Sequence, residues 1–163
     1  MKVTSAEAKK LLHQYEDEYL KIINDEKKKH TFRCAVGENI NDCKTEYYFE
    51  ETQKRIDELN KKIMKLRHAI NLFNIFTEVK GDMTIDQVLV RLPQLTSQKL
   101  KLDGMRKIPS KERYSISGSI IDYTYTAYDP AEADAKYKEI CNEIQELQLA
   151  LDRINNTMTF EVK

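Results

Sequence analysis

The sequence predicts a mainly α fold with a minor β part: an elongated antiparallel bundle of four heptad-patterned helices carrying a small antiparallel β-ribbon. Three observations predict it. Apolar residues recur at alternating spacings of 3 and 4 in four stretches, the period of helices that pack side by side at a shallow angle. Charged residues make up 33% and hydrophobic residues 40% of the 163 positions, the charge-rich balance of long helices. With only 4 Gly and 3 Pro, few positions interrupt a helix. The length is that of one domain, so residues 1–163 are expected to form a single helical domain.

The first helix is expected over residues 5–29, with its stripe at Ala8, Leu12, Tyr15, Tyr19 and Ile22. Thr4 and Glu7 stand in capping-box spacing, where the hydroxyl accepts from a first-turn amide and the carboxylate reaches back. Lys27, Lys28, Lys29 and His30 suit the negative end of the helix dipole. Residues 30–45 have no helical period and contain Gly37, so they read as a loop, with a short strand expected near Phe32 to Val36.

The second helix, expected over 46–75, carries the longest repeat: Phe49, Thr52, Ile56, Leu59, Ile63, Leu66, Ile70 and Phe73. At 1.5 Å per residue it spans roughly 45 Å. The period breaks at 74–82, where Thr77, Val79 and Gly81 fit a short strand and turn. Thr84 and Gln87 then restart a capped helix with Ile85, Val88, Leu92, Leu95 and Leu102 on its stripe. Pro93 removes a donor inside it, and a kink is expected there.

In 108–128 the period changes to two. Ile121, Tyr123, Tyr125 and Ala127 alternate with Asp122, Thr124 and Thr126, which predicts a strand, with Tyr114 to Ser117 as its hairpin partner. Asp129 and Pro130 open the fourth helix as N-cap and first helical residue. Its stripe is Ala133, Tyr137, Ile140, Ile144, Leu147, Leu151 and Ile154. The tail alternates at Met158, Phe160 and Val162 and is expected to pair with the strand near Thr77 to Val79.

Three patches carry a family resemblance: INLFNIFTEVKGDMTIDQVLVRLPQL, YSISGSIIDYTYTAYDP and ELQLALDRINNTMTFEV. In them an Asn-Thr step follows the second helix (Asn74, Thr77) and another follows the fourth (Asn156, Thr157). The chain resembles a family of small helical proteins of bacteria, phage and mobile elements, some of which bear the label septicolysin. The resemblance implies a helical fold with a small antiparallel β element. It implies no activity and supplies no catalytic residues.

Lys+Arg and Asp+Glu number 27 each, so no global field draws the chain to nucleic acid or an acidic membrane. No apolar run is long enough to cross a bilayer and no signal-peptide core opens the chain; a cytoplasmic protein without a membrane partner is expected. Cys34, Cys43 and Cys141 are odd in number and lack CxxC spacing, which fits free thiols in a reducing compartment. His30, Cys34 and Cys43 match no standard zinc spacing, so neither metal nor cofactor is expected. Nucleotide-loop, metalloprotease and nucleophile-elbow motifs are missing from the sequence, and His13, His30 and His68 are far apart. A non-enzymatic protein is expected.

Two surfaces remain as candidates. Between 99 and 113, Lys99, Lys101, Arg106, Lys107, Lys111 and Arg113 face only Asp103 and Glu112. Arg106, Lys107, Ser110, Lys111, Arg113 and Tyr114 are the expected phosphate contacts, with Tyr123 and Tyr125 able to stack bases. The ligand would be a nucleotide, a nucleic acid or another phosphate-bearing partner. The plainer reading of the same residues is a solvated helix end and ordinary cross-strand packing. The second surface is an oligomer seam of Phe49, Ile56, Leu59, Ile63, Leu66, Ile70, Tyr137, Ile140, Ile144, Leu147 and Leu151, expected to zip sister copies together. An oligomerising interaction protein is the leading expectation, and a binder of a nucleotide or nucleic acid is the alternative.

Overall fold

The computed structural model describes residues 1–114 and 121–162. In chain order its elements are β1 (Lys2–Thr4), α1 (Ser5–Lys29), α2 (Ile40–Cys43), α3 (Phe49–Phe76), β2 (Glu78–Lys80), β3 (Met83–Thr84), α4 (Ile85–Met105), β4 (Lys111–Tyr114), β5 (Asp122–Tyr125), α5 (Pro130–Thr157) and β6 (Thr159–Glu161). The fold is mainly α with small antiparallel strand pairs, as the heptad and alternating patterns predict. The expected hairpin partner Tyr114 to Ser117 is described only at Tyr114; positions 115–117 lie outside the described residues.

Local chemistry sets the helix starts. The Thr4 hydroxyl accepts from the Glu7 amide at 3.2 Å while the Glu7 carboxylate accepts from the Thr4 amide at 2.8 Å. Thr84 and Gln87 repeat the exchange at 3.4 and 2.9 Å. Asp129 accepts from the Ala131 amide at 2.8 Å, one residue past the proline that opens α5. The helix α4 continues through Pro93 to Met105.

Where one domain is expected, the chain forms two compact units, Met1–Phe73 with Asn155–Lys163 and Asn74–Ile154. In the first, α1 and α3 pair antiparallel: Arg67 meets Glu16 at 2.5 Å and Gln53 meets Glu26 at 2.7 Å, so the sequence runs oppositely along the two helices. Val3, Ala8, Leu66 and Ile70 form the core, with Leu12, Tyr15 and Phe160 packed against it. In the second unit, α4 and α5 also run antiparallel, with Arg91 on Glu143 at 2.9 Å and Arg106 on Asp134 at 3.0 Å. Val88, Leu95, Ile140 and Leu147 are its core.

The tail takes a different partner from the one expected. Phe160 pairs with Val3 in the β1–β6 register rather than with the segment near Thr77 to Val79. The reason is a tight turn. Gly81 and Asp82 both have positive φ, 57° and 62°, the backbone of a hairpin turn that glycine and aspartate tolerate. It folds β2 onto β3 and leaves β6 to β1, where the Val162 amide also bonds the Met1 carbonyl at 2.8 Å. The strand expected near Phe32 to Val36 does not form; that stretch is irregular and enters a turn at Val36, and the short helix α2, capped by Asn39 through the Asn41 amide at 3.1 Å, follows it.

The expected oligomer seam is spent largely inside the chain. Ile56, Leu59, Leu66, Ile70, Ile140 and Leu147 are all buried within the single copy. Ile63, Tyr137, Ile144 and Leu151 are half-buried, and Phe49 is exposed at the start of α3. A heptad period reports that helices pack. It does not distinguish a neighbour in the same chain from one in another.

Candidate functional site

The β4–β5 ribbon gathers five of the eight expected ligand residues and sorts them by face. In its antiparallel register Lys111 stands opposite Tyr125, Glu112 opposite Thr124, Arg113 opposite Tyr123 and Tyr114 opposite Asp122. Opposed residues share a face and successive residues alternate between faces. One face therefore holds Lys111, Arg113, Tyr123 and Tyr125, and the other holds Glu112, Tyr114, Asp122 and Thr124. Cations and aromatic rings are together on the first, with no carboxylate among the described strand residues of that face. Both carboxylates are on the second.

Contacts agree with that division. The Lys111 ammonium lies 4.1 Å from the Tyr123 ring centroid and 5.5 Å from that of Tyr125. The two rings are 6.4 Å apart and tilted by 49°, open rather than stacked on each other. Tyr123 is 45% exposed and Tyr125 62%, so both rings meet solvent beside the Lys111 ammonium. The base of the ribbon is tied to the helices. The Thr126 amide donates to the Ser110 carbonyl at 3.2 Å, and the Tyr128 hydroxyl donates to the Met105 carbonyl at 2.8 Å at the end of α4.

Arg106 and Lys107 are placed elsewhere. The Arg106 guanidinium bonds Asp103 at 2.8 Å and Asp134 at 3.0 Å and lies 4.2 Å over the Tyr137 ring. Lys107 pairs with Asp103, and Lys138 with Asp134 at 2.7 Å. Lys107 and then Arg106 hold the Asp103 carboxyl below its usual range, while Lys138 and then Arg106 do the same for Asp134. Asp103 and Asp134 in turn raise the pKa of Arg106. These cations stabilise the α4–α5 junction. Ser110 contributes its backbone carbonyl, and Tyr114 is on the acidic face. Of the expected phosphate contacts, Lys111 and Arg113 share the ribbon face that carries Tyr123 and Tyr125.

Carboxylates elsewhere among the described residues are also partnered. Glu143 and Glu146 are paired with Arg91 and Lys80, which fits exposed helix faces rather than a shared proton. Between α1 and the start of α3 is a cleft of about 270 Å³ whose lining includes Asp25, Glu26, Glu46 and Glu51. Glu26 accepts there from the Tyr47 hydroxyl at 2.5 Å and from Gln53, and its carboxylate pushes the Tyr47 phenol pKa up.

Two of the three residues weighed for zinc in the sequence come together, with Glu38 rather than His30 beside them. Cys34 and Cys43, nine residues apart in a segment without period, bring their Sγ atoms to 2.7 Å. The Glu38 carboxylate accepts from Cys43 at 3.4 Å and from the Ala35 amide at 3.0 Å. The Ala35 amide holds the Glu38 pKa down, and the bond to Cys34 raises that of Cys43. His30 is turned away from this cluster, its Nδ1 2.8 Å from the Glu26 carbonyl.

No protein-family model and no curated protein matches the sequence. Among solved structures the chain is similar to a functionally unknown conserved protein from Corynebacterium diphtheriae, with a TM-score of 0.62 and 18% identity over 99% of this chain and 100% of that one. That likeness concerns the fold. Among the described residues no helix is long and apolar enough to cross a membrane.

Proposed function

We propose that this is a non-enzymatic, cytoplasmic interaction protein whose contact surface is the face of the ribbon formed by Lys111, Arg113, Tyr123 and Tyr125, and that the surface takes single-stranded nucleic acid. The segregation of two cations and two exposed rings onto one face supports the reading. A strand with unpaired bases offers the two complementary groups in alternation, flat π surfaces for the tyrosines and phosphates for the cations. A duplex keeps its base faces stacked inside and offers the tyrosines no ring surface to stack on. In a chain of zero net charge the attraction is local, so binding is weak and short in footprint. Six of the eleven seam residues are buried within the single copy, while Phe49 is exposed, which favours the ribbon over a seam between sister copies as the contact surface.

Fluorescence anisotropy of a labelled twelve-nucleotide oligothymidylate tests this. The expected result is saturable binding at low salt that weakens about tenfold or more in the Lys111→Ser/Arg113→Ser double variant. The same double variant is expected to keep the wild-type melting temperature. Binding unchanged in the double variant, or no saturable binding with the wild type, would overturn the reading; a ribbon that self-associates instead would show as a concentration-dependent mass that the double variant alters.

A further inference from the structure

We propose that Cys34 and Cys43 form a modification site: a dithiol that closes to an intramolecular disulfide by exchange with a small-molecule disulfide of the glutathione type. The site is independent of the ribbon. It lies in the connection between α1 and α3, and both thiols are partly exposed.

The distance between the sulfurs decides between the two chemistries open to the group. With the Glu38 carboxylate they lie within 4.8 Å of one another, an arrangement that suits a soft divalent cation as well as a disulfide. Two thiolates on one tetrahedral zinc, each at about 2.3 Å, stand roughly 3.8 Å apart. The Cys34 and Cys43 sulfurs are 2.7 Å apart and would have to separate by about 1 Å to share a metal. To reach a disulfide bond of about 2.05 Å they need only approach further. Cys43 is the last residue of the capped single turn α2, and Cys34 lies in the irregular stretch before it.

The chemistry balances. The Cys34 thiolate attacks one sulfur of oxidised glutathione, forming a mixed disulfide and releasing one glutathione thiolate. Cys43 loses its proton to solvent, attacks the Cys34 sulfur, and releases the second glutathione thiolate. The two cysteines are oxidised by two electrons and the glutathione disulfide is reduced by two. Holding Cys43 against Cys34 makes the second step intramolecular, so the mixed disulfide does not accumulate.

Mass spectrometry of the intact chain, equilibrated in a series of reduced and oxidised glutathione mixtures and then alkylated with iodoacetamide, tests the proposal. The wild type is expected to lose two hydrogens, to retain no glutathione and to carry one alkyl group, on Cys141 in α5; dithiothreitol is expected to restore three. The Cys34→Ser and Cys43→Ser variants are expected to hold glutathione on the remaining loop cysteine. A wild type that keeps three alkylatable thiols across the series, or retains glutathione on both loop cysteines, would overturn the proposal. So would one equivalent of zinc that protects both thiols from oxidation, since that assigns the group to a metal.

Discussion

The Arg106 guanidinium at the C-cap of α4 reaches 3.0 Å to the Asp134 carboxylate in α5. With Asp103 on its other side and the Tyr137 ring beneath, it fixes how α4 and α5 end against each other. Both carboxyls have pKa values depressed below their ordinary 3.8. A depressed acid stabilises the fold above its unfolded pKa, and that contribution is lost as pH falls through the lower folded value. Arg106→Gln is therefore expected to lower stability in urea unfolding near neutrality. The gap to wild type should stay level down to about pH 4 and shrink as pH falls below the ordinary carboxylate range. A gap unchanged at the acid end would show that packing over Tyr137, not charge, carries the contribution.

Leu66 is 1% exposed in the core that joins α1, α3 and the β1–β6 pair. Truncation leaves a cavity there, and Leu66→Ala is expected to cost about 2–5 kcal/mol. Because its neighbours belong to the same chain, the loss should be the same at all protein concentrations. Stability that rises with concentration in the wild type, and a variant that dissociates while staying folded, would restore the seam between copies.

What the sequence makes legible and what it hides divide along the range of the interaction. Thr4 with Glu7 and Thr84 with Gln87 are three residues apart, and their capping bonds form as the spacing implies because nothing distant competes for a helix start. The alternation at Tyr123 and Tyr125 likewise announces a strand. Alternation does not name a partner, however, and the tail at Met158 to Val162 shows the consequence: the Gly81–Asp82 turn claims β2 for β3, and a three-residue β1, too short for a period of its own, takes the tail. Charge counting fails for the same reason. Arg106 and Lys107 are surplus cations in a window of fifteen positions, but Asp134 neutralises Arg106 from 28 residues away. The thiol pair is hidden because a loop's spacing carries no information on where its side chains meet.

Ser5, the first residue of α1, is 1% exposed. Among the described residues its hydroxyl is buried without a hydrogen-bond partner. Burying an unpaired hydroxyl costs about 1–3 kcal/mol relative to leaving it in water. Ser5→Ala removes the group at little loss of packing and is expected to stabilise the chain by about 1 kcal/mol, read as a raised urea midpoint with an unchanged slope. Destabilisation by a similar amount would mean that the hydroxyl has a partner in solution.

Tyr123 separates stacking from charge on the ribbon. If its ring supports a base, Tyr123→Phe keeps the π face and should bind the oligothymidylate within about twofold of wild type, while Tyr123→Ser should lose about 1–3 kcal/mol, the usual worth of one stacked base. Salt provides the complementary reading. Two phosphate contacts from Lys111 and Arg113 predict that log K falls against log salt with a slope of about −1.4 for a single strand. Removing Lys111 should halve that slope, whereas removing the Tyr123 ring should leave it unchanged, because a stacked base releases no counterion. A slope that is already near zero in the wild type would mean that the cations serve only the tyrosines beside them, as Lys111 does at 4.1 Å from Tyr123, and the ribbon would then be an ordinary packed hairpin.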